Sequence, residues 1–381
     1  MTAYSLCAAC SNRQTNLQTR MSDDEQLQAI RERINSLDEE IQQRISQRAE
    51  AAQEVARIKL AADSQATFYR PEREADVLRK VKARNQGPLD DEEIARLFRE
   101  IMSACLALEE PMKIAFLGPD GTFTQAAALK HFGHSVQTQP AGSISEVFRD
   151  VESGACHYGV VPVENSTEGV VTHTLDMFLS SPLQICGEVS LRINHHLLSV
   201  ADTTTAIETV YSHQQSLAQC RGWLDRNLPH AERISVGSNA EAAKRVIADP
   251  QSAAIASEAA AGIYGLKILA QSIEDEPGNT TRFLVIGKQQ VAPCGVDKTS
   301  LLLATRNVAG SLHRLLAPLA EHDVSMTRIE SRPSGRGRWE YVFFVDIEGH
   351  KDDHNVAQVL ESLKAEAQIC KILGSYPTAV L

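Results

Sequence analysis

Residues 113–123 read Lys113-Ile-Ala-Phe-Leu-Gly-Pro-Asp-Gly-Thr-Phe123, a short apolar strand that runs into a glycine-containing loop. From there to about residue 290, apolar strands alternate with helical stretches, which indicates α/β layers. We predict strands at 113–117, 158–163, 183–200, 209–212, 252–256 and 282–287. Because the region is longer than ~150 residues, we expect two lobes with a cleft. The loop lacks the glycine spacing of a dinucleotide fingerprint, and the chain has no Gly-Lys-Ser/Thr phosphate loop, so we expect no nucleotide cofactor.

The composition is that of a soluble globular protein with more than one domain. The 381 residues suffice for two or three domains, with 43% hydrophobic and 23% charged residues. A formal net charge of −11 argues against a nucleic-acid partner, and no apolar run reaches the ~18–20 residues of a membrane span. We therefore expect a cytoplasmic protein without membrane contact. Acidic substrates would need local clusters of Arg and Lys to capture them.

The eight cysteines are scattered, and only Cys7 and Cys10 are closely spaced. Because no second pair or nearby histidine accompanies them, free thiols are favoured over a zinc or redox site, and no metal is expected. Residues 1–21 are polar and unpatterned, and we predict a disordered tail there. Ser22 and Glu25 have the spacing of a capping box, which favours a helix start at this point.

Residues 22–110 have the pattern of three helices. Apolar residues recur every three or four positions from Leu27 to Ile58, which predicts one long helix with a coiled-coil-like seam. Such a helix of roughly 40 residues extends ~60 Å, so part of its seam should pack on a partner chain. A second helix is predicted over Pro71–Arg84, and a third from about Asp90 to Glu109.

The basic residues of the long helix suggest a binding surface. Arg48 and Lys59 share a face at ~16 Å separation, a span over which two long side chains can hold a small dicarboxylate. Arg31 lies ~25 Å from Arg48, so it would reach a site only in a neighbouring antiparallel helix. On residue types alone, solvated charges on a helical face are the simpler explanation.

Two polar segments of the central region adjoin strands. Glu164-Asn-Ser-Thr167 has hydroxyl and backbone N–H groups that can bind an anion, although such a segment is equally a turn or a helix cap. Asn279-Thr-Thr-Arg-Phe283 leads into a buried strand, and it is either a strand edge or a site. In Ser212-His-Gln-Gln215, His213 and Gln215 are candidates for lining the cleft, with His213 a candidate general acid.

Residues 297–381 have the order βαββαβ, which is ferredoxin-like. The predicted strands are 299–305, 324–330, 341–347 and 369–376, and the predicted helices are 311–321 and 355–366. We find no cluster in this segment that could do chemistry. The free N–H groups at the start of the first of these helices would suit the carboxylate of an amino acid.

Three segments of the central region, 113–123, 160–169 and 279–286, resemble the prephenate dehydratase family, which makes phenylpyruvate on the route to phenylalanine. The family's two lobes resemble periplasmic binding proteins. The segment Asn307–Leu312 and the sequence Glu330-Ser-Arg-Pro333 resemble the ACT regulatory domain of phenylalanine-sensitive dehydratases. The order Arg31, Arg48, Lys59, Arg73-Glu74 resembles the all-helical chorismate mutases, whose dimers build each site from both chains.

The mutase resemblance implies a cofactor-free site that holds chorismate compactly. Arg31 of one chain and Arg48 of the other would bind carboxylates, Lys59 would face the ether oxygen, and Glu74 would bind the hydroxyl. The implied set is Arg31, Arg48, Lys59, Arg70, Glu74, Cys105 and Glu109. Two of these depart from the family pattern, because Cys105 replaces a serine and Glu109 replaces a glutamine. Glu109 can donate only when protonated, and burial beside an anionic ligand would raise its pKa.

The dehydratase resemblance implies a second site, with Thr281 hydrogen-bonding the departing ring hydroxyl. Arg282 would either hold a carboxylate or brace the loop. The implied prephenate residues are Glu164, Asn165, Ser166, Thr167, Gln215, Thr281 and Arg282. Phenylalanine would bind near Gly310, Ser311, Leu312, Glu330, Ser331, Arg332 and Pro333, unless this segment is purely a dimerisation module.

Together, the resemblances imply a bifunctional enzyme inhibited by phenylalanine, with catalytic residues Lys59, Glu109 and Thr281 and no cofactor. Its expected domains are 22–110, 111–290 and 297–381. The expected partners are chorismate, prephenate, phenylalanine and at least one further copy of the chain. Two alternatives stay open, a dehydratase with a non-catalytic helical dimerisation segment and a non-catalytic amino-acid sensor.

Overall fold

The computed structural model describes residues 23–63, 67–306, 308–333 and 341–381. The predictions for the tail at 1–21, the Ser22 capping box and Asn307 lie outside these residues. The chain divides into two compact units, Met1–Ala51 and Ala52–Leu381. Within the described ranges, no helix is both long enough and apolar enough to cross a membrane.

Three N-terminal helices begin and end close to the predicted residues, so that prediction is confirmed. They are α1 (Asp23–Ala62), α2 (Pro71–Ala83) and α3 (Asp91–Ala107). α2 starts at Pro71, whose fixed φ and missing N–H suit the first turn of a helix. α3 starts after Asp90, whose side chain accepts a hydrogen bond from the backbone N–H of Glu93.

The apolar seam of α1 is exposed on the single chain. The exposed fraction runs from 38% at Ile45 to 64% at Ile58. Among the described side chains of α1, Ala56 is the one that is buried. The exposed seam residues are Leu27, Ile30, Ile34, Leu37, Ile41, Ile45, Val55 and Ile58. A continuous apolar stripe of this kind is typical of a surface that another protein surface covers.

The first lobe of the central region is built on a six-stranded sheet. Its strands are β1 (Lys113–Leu117), β2 (Gln137–Ala141), β3 (Tyr158–Asn165), β4 (Gly169–Val170), β5 (Gln184–Arg192) and β11 (Thr280–Gly287). Five strands lie in the order β2-β1-β3-β11-β5, and β4 pairs with β3. β11 runs antiparallel to both of its neighbours. The helices are α4 (Phe123–Phe132), α5 (Ile144–Ser153) and α6 (Thr172–Phe178).

The second lobe is inserted between β5 and β11. Its five strands are β6 (His196–Ser199), β7 (Thr209–His213), β8 (Glu232–Val236), β9 (Ser252–Ala256) and β10 (Lys267–Ala270), in the order β10-β6-β9-β7-β8. Its helices are α7 (Gln214–Gln219), α8 (Arg221–Asn227), α9 (Asn239–Arg245) and α10 (Glu258–Tyr264), with short 3-10 turns at Thr204–Ala206 and Val246–Ala248. The two-lobed α/β prediction is therefore confirmed.

Two chain crossings connect the lobes, at residues 193–195 and 271–279. They are joined by backbone hydrogen bonds, from the N–H of Ile193 to the carbonyl of Asn279 and from the N–H of Ile273 to the carbonyl of His195, both of 2.8 Å. The predicted single strand 183–200 is wrong, because the first crossing divides it into β5 and β6, which belong to different sheets. Apolar residues on both sides of the crossing conceal this break in the sequence.

The C-terminal region has the predicted ferredoxin-like order. Its elements are β12 (Asp297–Ala304), α11 (Ser311–Glu321), β13 (Met326–Pro333), β14 (Tyr341–Glu348), α12 (His354–Glu366) and β15 (Ile369–Pro377), with strand order β13-β14-β12-β15. β15 lies so close to β5 that a Cβ at Gly374 would come within 2.2 Å of the carbonyl oxygen of Ile185. One apolar cluster spans both sheets, with Leu284 from β11 and Phe344 from β14 among its members. The C-terminal sheet thus packs on the strand that carries Thr281.

Candidate active sites

A cavity of about 360 Å³ lies between the two lobes of the central region. Its walls come from the end of β3 and from the starts of β11, α7 and α9. They include Asn165, Thr281 and Gln215. None of its described lining residues is Lys or Arg. The cation cluster expected for an acidic ligand is therefore missing from this wall, which has neutral polar groups and one acidic residue, Glu168, instead.

Thr281 faces this cavity because successive side chains of a strand point to opposite faces. Thr281 and Phe283 line the cavity, while Arg282 between them bonds to groups on the other side of the sheet. Thr281 is opposite Asn165 in the antiparallel pairing of β11 with β3. Asn165 donates from Nδ2 to Oγ1 of Thr281 at 2.8 Å.

The amide of Asn165 is held in one orientation by its neighbours. Its Oδ1 accepts from the backbone N–H groups of Thr167 and Glu168, both at 3.0 Å, and from the hydroxyl of Thr167 at 2.7 Å. Its Nδ2 must therefore donate, and it does so to Thr281 and, at 2.8 Å, to Oδ1 of Asn279. Because Oγ1 of Thr281 accepts from Asn165, its own hydrogen is left to donate to a ligand in the cavity.

A residue absent from the sequence predictions completes this network. Gln219 donates from Nε2 to Oγ1 of Thr167 at 3.1 Å, and its Oε1 accepts from Nδ2 of Asn279 at 3.2 Å. Its Oε1 also lies 2.8 Å from Nε2 of His195. We predicted Gln215 alone, and both glutamines line the cavity. Their spacing of i and i+4, which places two residues on one helical face, was a signal that could have identified Gln219.

The other predicted cleft residues lie beside this network. Ser166 accepts at Oγ from the backbone N–H of Thr280 at 3.0 Å, which ties the loop after β3 to the start of β11. His213 lines the cavity and caps α7 through Nδ1, which accepts from the N–H of Gln215 at 3.4 Å. In the described part of the chain, no group of three or more His, Cys, Asp or Glu residues is arranged to hold a metal ion.

Glu164 and Arg282 do not face the cavity, which corrects their predicted role as prephenate ligands. The carboxylate of Glu164 pairs with Arg328 of β13 at 3.0 Å. Arg282 donates to Glu188 at 2.7 Å, to Asp346 at 2.6 Å and to the hydroxyl of Tyr376 at 3.1 Å. The physical reason is strand alternation, since each is adjacent in sequence to a residue that faces the cavity. The bracing role considered for Arg282 fits these contacts.

The Arg282 cluster is a buried ion network between β11 and the C-terminal sheet. Asp346 also accepts from Ser300 at 2.6 Å, and Glu188 also pairs with Lys298 at 2.8 Å. Burial alone would lower the pKa of the Arg282 guanidinium, but the nearby Tyr376, Asp346 and Glu188 outweigh it and raise that pKa. The charged form is therefore stabilised where it stands.

We expect Arg282→Met to destabilise the protein, because it leaves Asp346 as a buried carboxylate without its cation. Removing one partner of a buried ion pair lowers the free energy of unfolding by about 3–5 kcal/mol. Thermal unfolding of the purified variant measures this change. Arg149→Met is the matched control, because Arg149 pairs with Glu146 at 3.5 Å on the surface with 70% of its side chain exposed. Equal shifts in the two variants would contradict the assigned role of the cluster.

A different cavity of the second unit, of about 760 Å³, is lined partly by the helical region and partly by the first lobe, including His157 and Tyr158. Its lining includes Leu60 of α1, Phe68, and Glu109, which follows the end of α3. Lys59 lies beside it, with Nζ 5.7 Å from the centre of the Phe68 ring and 3.4 Å from the carbonyl oxygen of Thr67. Glu109 thus lines this cavity and Lys59 contacts residues that line it, while their catalytic roles stay predictions.

Other predicted chorismate residues are less directly placed. Cys105 is buried in α3, and Arg70 pairs with Glu72 at 2.5 Å. Glu74 pairs with the buried Arg99, which also donates to the carbonyl of His131. The carboxylate of Glu74 thus joins a buried contact between α2, α3 and α4, and its binding of a substrate hydroxyl stays a prediction. Arg31 and Arg48 belong to the first unit, where Arg31 is exposed and Arg48 half-buried.

The predicted phenylalanine residues lie at two ends of the C-terminal elements. Gly310 precedes α11 with a φ of 77°, a conformation that glycine adopts without strain, and Ser311 and Leu312 open the helix. Glu330, Ser331, Arg332 and Pro333 end β13. Arg332 contacts α6 of the first lobe, donating to both carboxylate oxygens of Asp176 at 2.9 and 3.0 Å.

Three protein-family models match consecutive parts of the chain. They are Chorismate mutase type II at residues 30–110, Prephenate dehydratase at 114–291 and the ACT domain at 299–365. Among solved structures, the prephenate dehydratase of Arthrobacter aurescens in complex with L-Phe is 33% identical, with a TM-score of 0.65. That match covers 70% of this chain and 89% of the other.

Curated relatives match over nearly the whole chain. The bifunctional chorismate mutase/prephenate dehydratase of Stutzerimonas stutzeri is 59% identical over 366 residues, which cover 95% of this chain and all of the relative. The protein of the same description from Pseudomonas aeruginosa is 57% identical with the same coverage. Identity at this level over all three regions leaves no part of the relatives unmatched. The chain belongs to the bifunctional chorismate mutase/prephenate dehydratase family.

Proposed function

We propose that this bifunctional enzyme rearranges chorismate to prephenate beside Lys59 and Glu109, and converts prephenate to phenylpyruvate in the cleft at Thr281. The observation that carries the second assignment is the orientation of Thr281. Asn165 donates to its oxygen at 2.8 Å, so its hydroxyl hydrogen is directed to a ligand. A hydroxyl that departs as hydroxide develops negative charge, which such a donor stabilises.

The dehydratase step breaks two bonds of prephenate. The ring carboxylate leaves as CO₂, its bonding electrons enter the ring, and the C–O bond to the ring hydroxyl breaks to release hydroxide, which solvent protonates to water. Aromatisation drives the reaction, so the enzyme mainly orients the dianion and desolvates the departing carboxylate. The hydroxyl of Thr281 is too weak an acid to give up its proton fully, and it acts by hydrogen-bonding the departing oxygen.

Neutral donors hold prephenate in this account, because the described cavity wall lacks Lys and Arg. Gln215 and the hydroxyl of Ser238 line the cavity and can donate to carboxylate oxygens. In a cleft that excludes water, such neutral donors can bind an anion although none of them carries a positive charge. Arg282 stabilises the strand that carries Thr281, through its bonds to Glu188 and Asp346 on the opposite face of the sheet.

The mutase reaction is a pericyclic rearrangement that needs neither nucleophile nor cofactor. The protein must hold chorismate in a compact conformation and stabilise negative charge on the breaking ether oxygen. We assign Lys59 to the ether oxygen and Arg31 and Arg48 to the carboxylates. The exposed seam of α1 supports a homodimer in which one chain covers the seam of the other.

We expect mutase activity to fall as pH rises and Glu109→Gln to flatten the fall. Glu109 donates a hydrogen bond to the ether oxygen only while it is protonated, whereas glutamine donates at every pH. The measurement is the mutase rate against pH for both proteins. Glu93→Gln, at an exposed carboxylate of α3 that pairs with Arg96 at 2.7 Å and does not line the cavity, is the control and should keep the wild-type profile. An unchanged profile in Glu109→Gln would remove Glu109 from this role.

Phenylalanine inhibition is the proposed role of the C-terminal domain. Support comes from the ACT match and from the Arthrobacter aurescens relative, whose structure contains L-Phe. Among the described residues, four ion pairs join this domain to the first lobe, made by Arg282 with Asp346, Lys298 with Glu188, Arg328 with Glu164, and Arg332 with Asp176. Because Arg332 belongs to the predicted phenylalanine segment and pairs with Asp176, a ligand bound there could act directly on the first lobe of the dehydratase.

A cytoplasmic location stays a prediction that cell fractionation would check.

The test supplies chorismate or prephenate to purified protein and follows phenylpyruvate by its absorbance in alkali. We expect phenylpyruvate from both substrates and inhibition of the dehydratase by millimolar phenylalanine. Product from prephenate only would favour the monofunctional alternative, and product from neither would favour the amino-acid sensor. Activity that is indifferent to phenylalanine would contradict the regulatory assignment.

A further inference from the structure

His195 occupies the crossing from the first lobe to the second and is almost completely buried, with 2% of its surface exposed. Its main chain is held on both sides, since its N–H donates to Glu274 at 2.9 Å and its carbonyl accepts from Ile273. Its ring meets the edge of Phe123 with centroids 5.8 Å apart. The imidazole is therefore fixed in place at the back of the cleft.

The hydrogen-bond partners of the ring indicate where its proton lies. Nε2 is 2.8 Å from Oε1 of Gln219, an oxygen that also accepts from Asn279. Nδ1 has no partner among the described groups. A buried N–H without an acceptor is unfavourable, so the proton belongs on Nε2, which donates to Gln219. Burial lowers the pKa of His195, which keeps the ring neutral with this single proton.

From His195 the direction of donation is set residue by residue. Oε1 of Gln219 is engaged, so its Nε2 donates to Thr167. The hydroxyl of Thr167 accepts there and gives its own hydrogen to Oδ1 of Asn165. Asn165 then donates from Nδ2 to Thr281. Thr281 is the last residue of this hydrogen-bond network. Its hydroxyl oxygen accepts from Asn165, so its hydroxyl hydrogen remains available to the ligand.

We propose that His195 is a positioning residue for dehydration, which acts through Gln219 to keep Thr281 a donor toward the departing hydroxyl. This inference rests on the proposed function of the cleft. If the amide of Gln219 turned over, its oxygen would face the hydroxyl of Thr167, which would then donate to Gln219 and no longer to Oδ1 of Asn165. Asn165 would keep its two backbone N–H donors but lose the third, so its amide would hold the oxygen of Thr281 less firmly. Loss of His195 removes the donor that opposes this rotation of Gln219.

The test compares His195→Leu with His195→Gln for dehydration of prephenate. Leucine cannot donate, whereas the amide nitrogen of glutamine reaches about as far as Nε2 and can. We expect kcat to fall about 10–100-fold in His195→Leu, with KM little changed. This loss is smaller than that for complete removal of a transition-state donor, because backbone N–H groups still hold Asn165. His195→Gln should recover most of the rate. His196→Leu is the matched control, since the adjacent buried His196 accepts from Ser272 and lies outside the network.

A double variant separates positioning from general structural support. If His195 acts through Gln219, His195→Leu should have little further effect on kcat in a Gln219→Ala protein. If the losses in kcat of the two single variants add in the double variant, the inference is overturned. It is also overturned if His195→Leu and His195→Gln have equal rates, or if the kcat of His195→Leu equals that of wild type. Mutase activity of the same chains reports on folding. If the leucine variant does not fold, His195→Asn, whose shorter amide does not reach Gln219, replaces it. A wild-type protein inactive on prephenate would instead reject the proposed function itself.

Discussion

Thr281→Val is expected to lower kcat for dehydration by about 10²–10³-fold, the usual loss when one transition-state hydrogen-bond donor is removed. Valine keeps the shape of threonine but cannot donate to the departing hydroxyl. Asn165 would lose one acceptor yet keep its bond to Asn279, so the loop should stay in place. Steady-state rates with prephenate measure the loss. Mutase activity of the same protein should be unchanged, because its proposed residues lie elsewhere in the chain.

Thr280→Val is the matched control for this variant. Thr280 is the adjacent residue of the same strand, and its hydroxyl donates to the carbonyl of Gly278 at 3.2 Å instead of facing the cavity. The substitution therefore removes a threonine hydroxyl that does not face the cavity. Equal losses in the two variants would contradict the role of Thr281, and so would a parallel fall in mutase activity.

Lys59→Met is expected to lower the mutase rate by about 10²–10³-fold and to leave dehydration unchanged. Methionine keeps much of the length and apolar character of the lysine stem but cannot stabilise charge on the ether oxygen. The loss should appear mainly in kcat, because that charge develops only in the transition state. Chorismate consumption by the purified variant measures it.

Arg57→Met is the control for charge on the same helix. Arg57 is exposed and donates to the backbone carbonyl of Gln53 within α1. Its replacement removes one positive charge two positions away from Lys59. A loss as large as that of Lys59→Met would indicate a general effect of helix charge rather than a specific contact.

The helices and the C-terminal domain were predictable because strong local signals mark them. Pro71 and Asp90 have side chains suited to helix starts, and the structure begins α2 and α3 there. The βαββαβ order follows from short apolar runs that differ clearly in period from the helices between them. Local sequence and tertiary packing agree in these segments, so one chain is enough to identify them.

The errors in the site come from geometry that a motif does not state. Glu164 and Arg282 were assigned to the cleft with their motifs, but alternation along β3 and β11 turns both toward the C-terminal domain. Glu74 was assigned to chorismate, which stays a prediction, and it also meets Arg99 from a helix distant in sequence. Contacts of this kind depend on how separate elements pack, which spacing along the chain does not encode.

Gln219 and His195 were missed for a related reason. Neither belongs to a motif quoted for the family, and the signal for Gln219 was its i, i+4 spacing from Gln215. Their importance comes from the bonds that Gln219 makes across the cleft to Thr167 and Asn279. The closed network becomes visible only when β3, β11 and α7 are brought together.

Mixing the two single-site variants tests the central claim, that one chain carries two separate active sites. Neither Thr281→Val nor Lys59→Met alone should produce phenylpyruvate from chorismate at the wild-type rate. Combined in one tube, the first supplies prephenate and the second consumes it, so phenylpyruvate formation should recover strongly. No recovery in the mixture, or wild-type formation of phenylpyruvate from chorismate by either variant alone, would contradict the account.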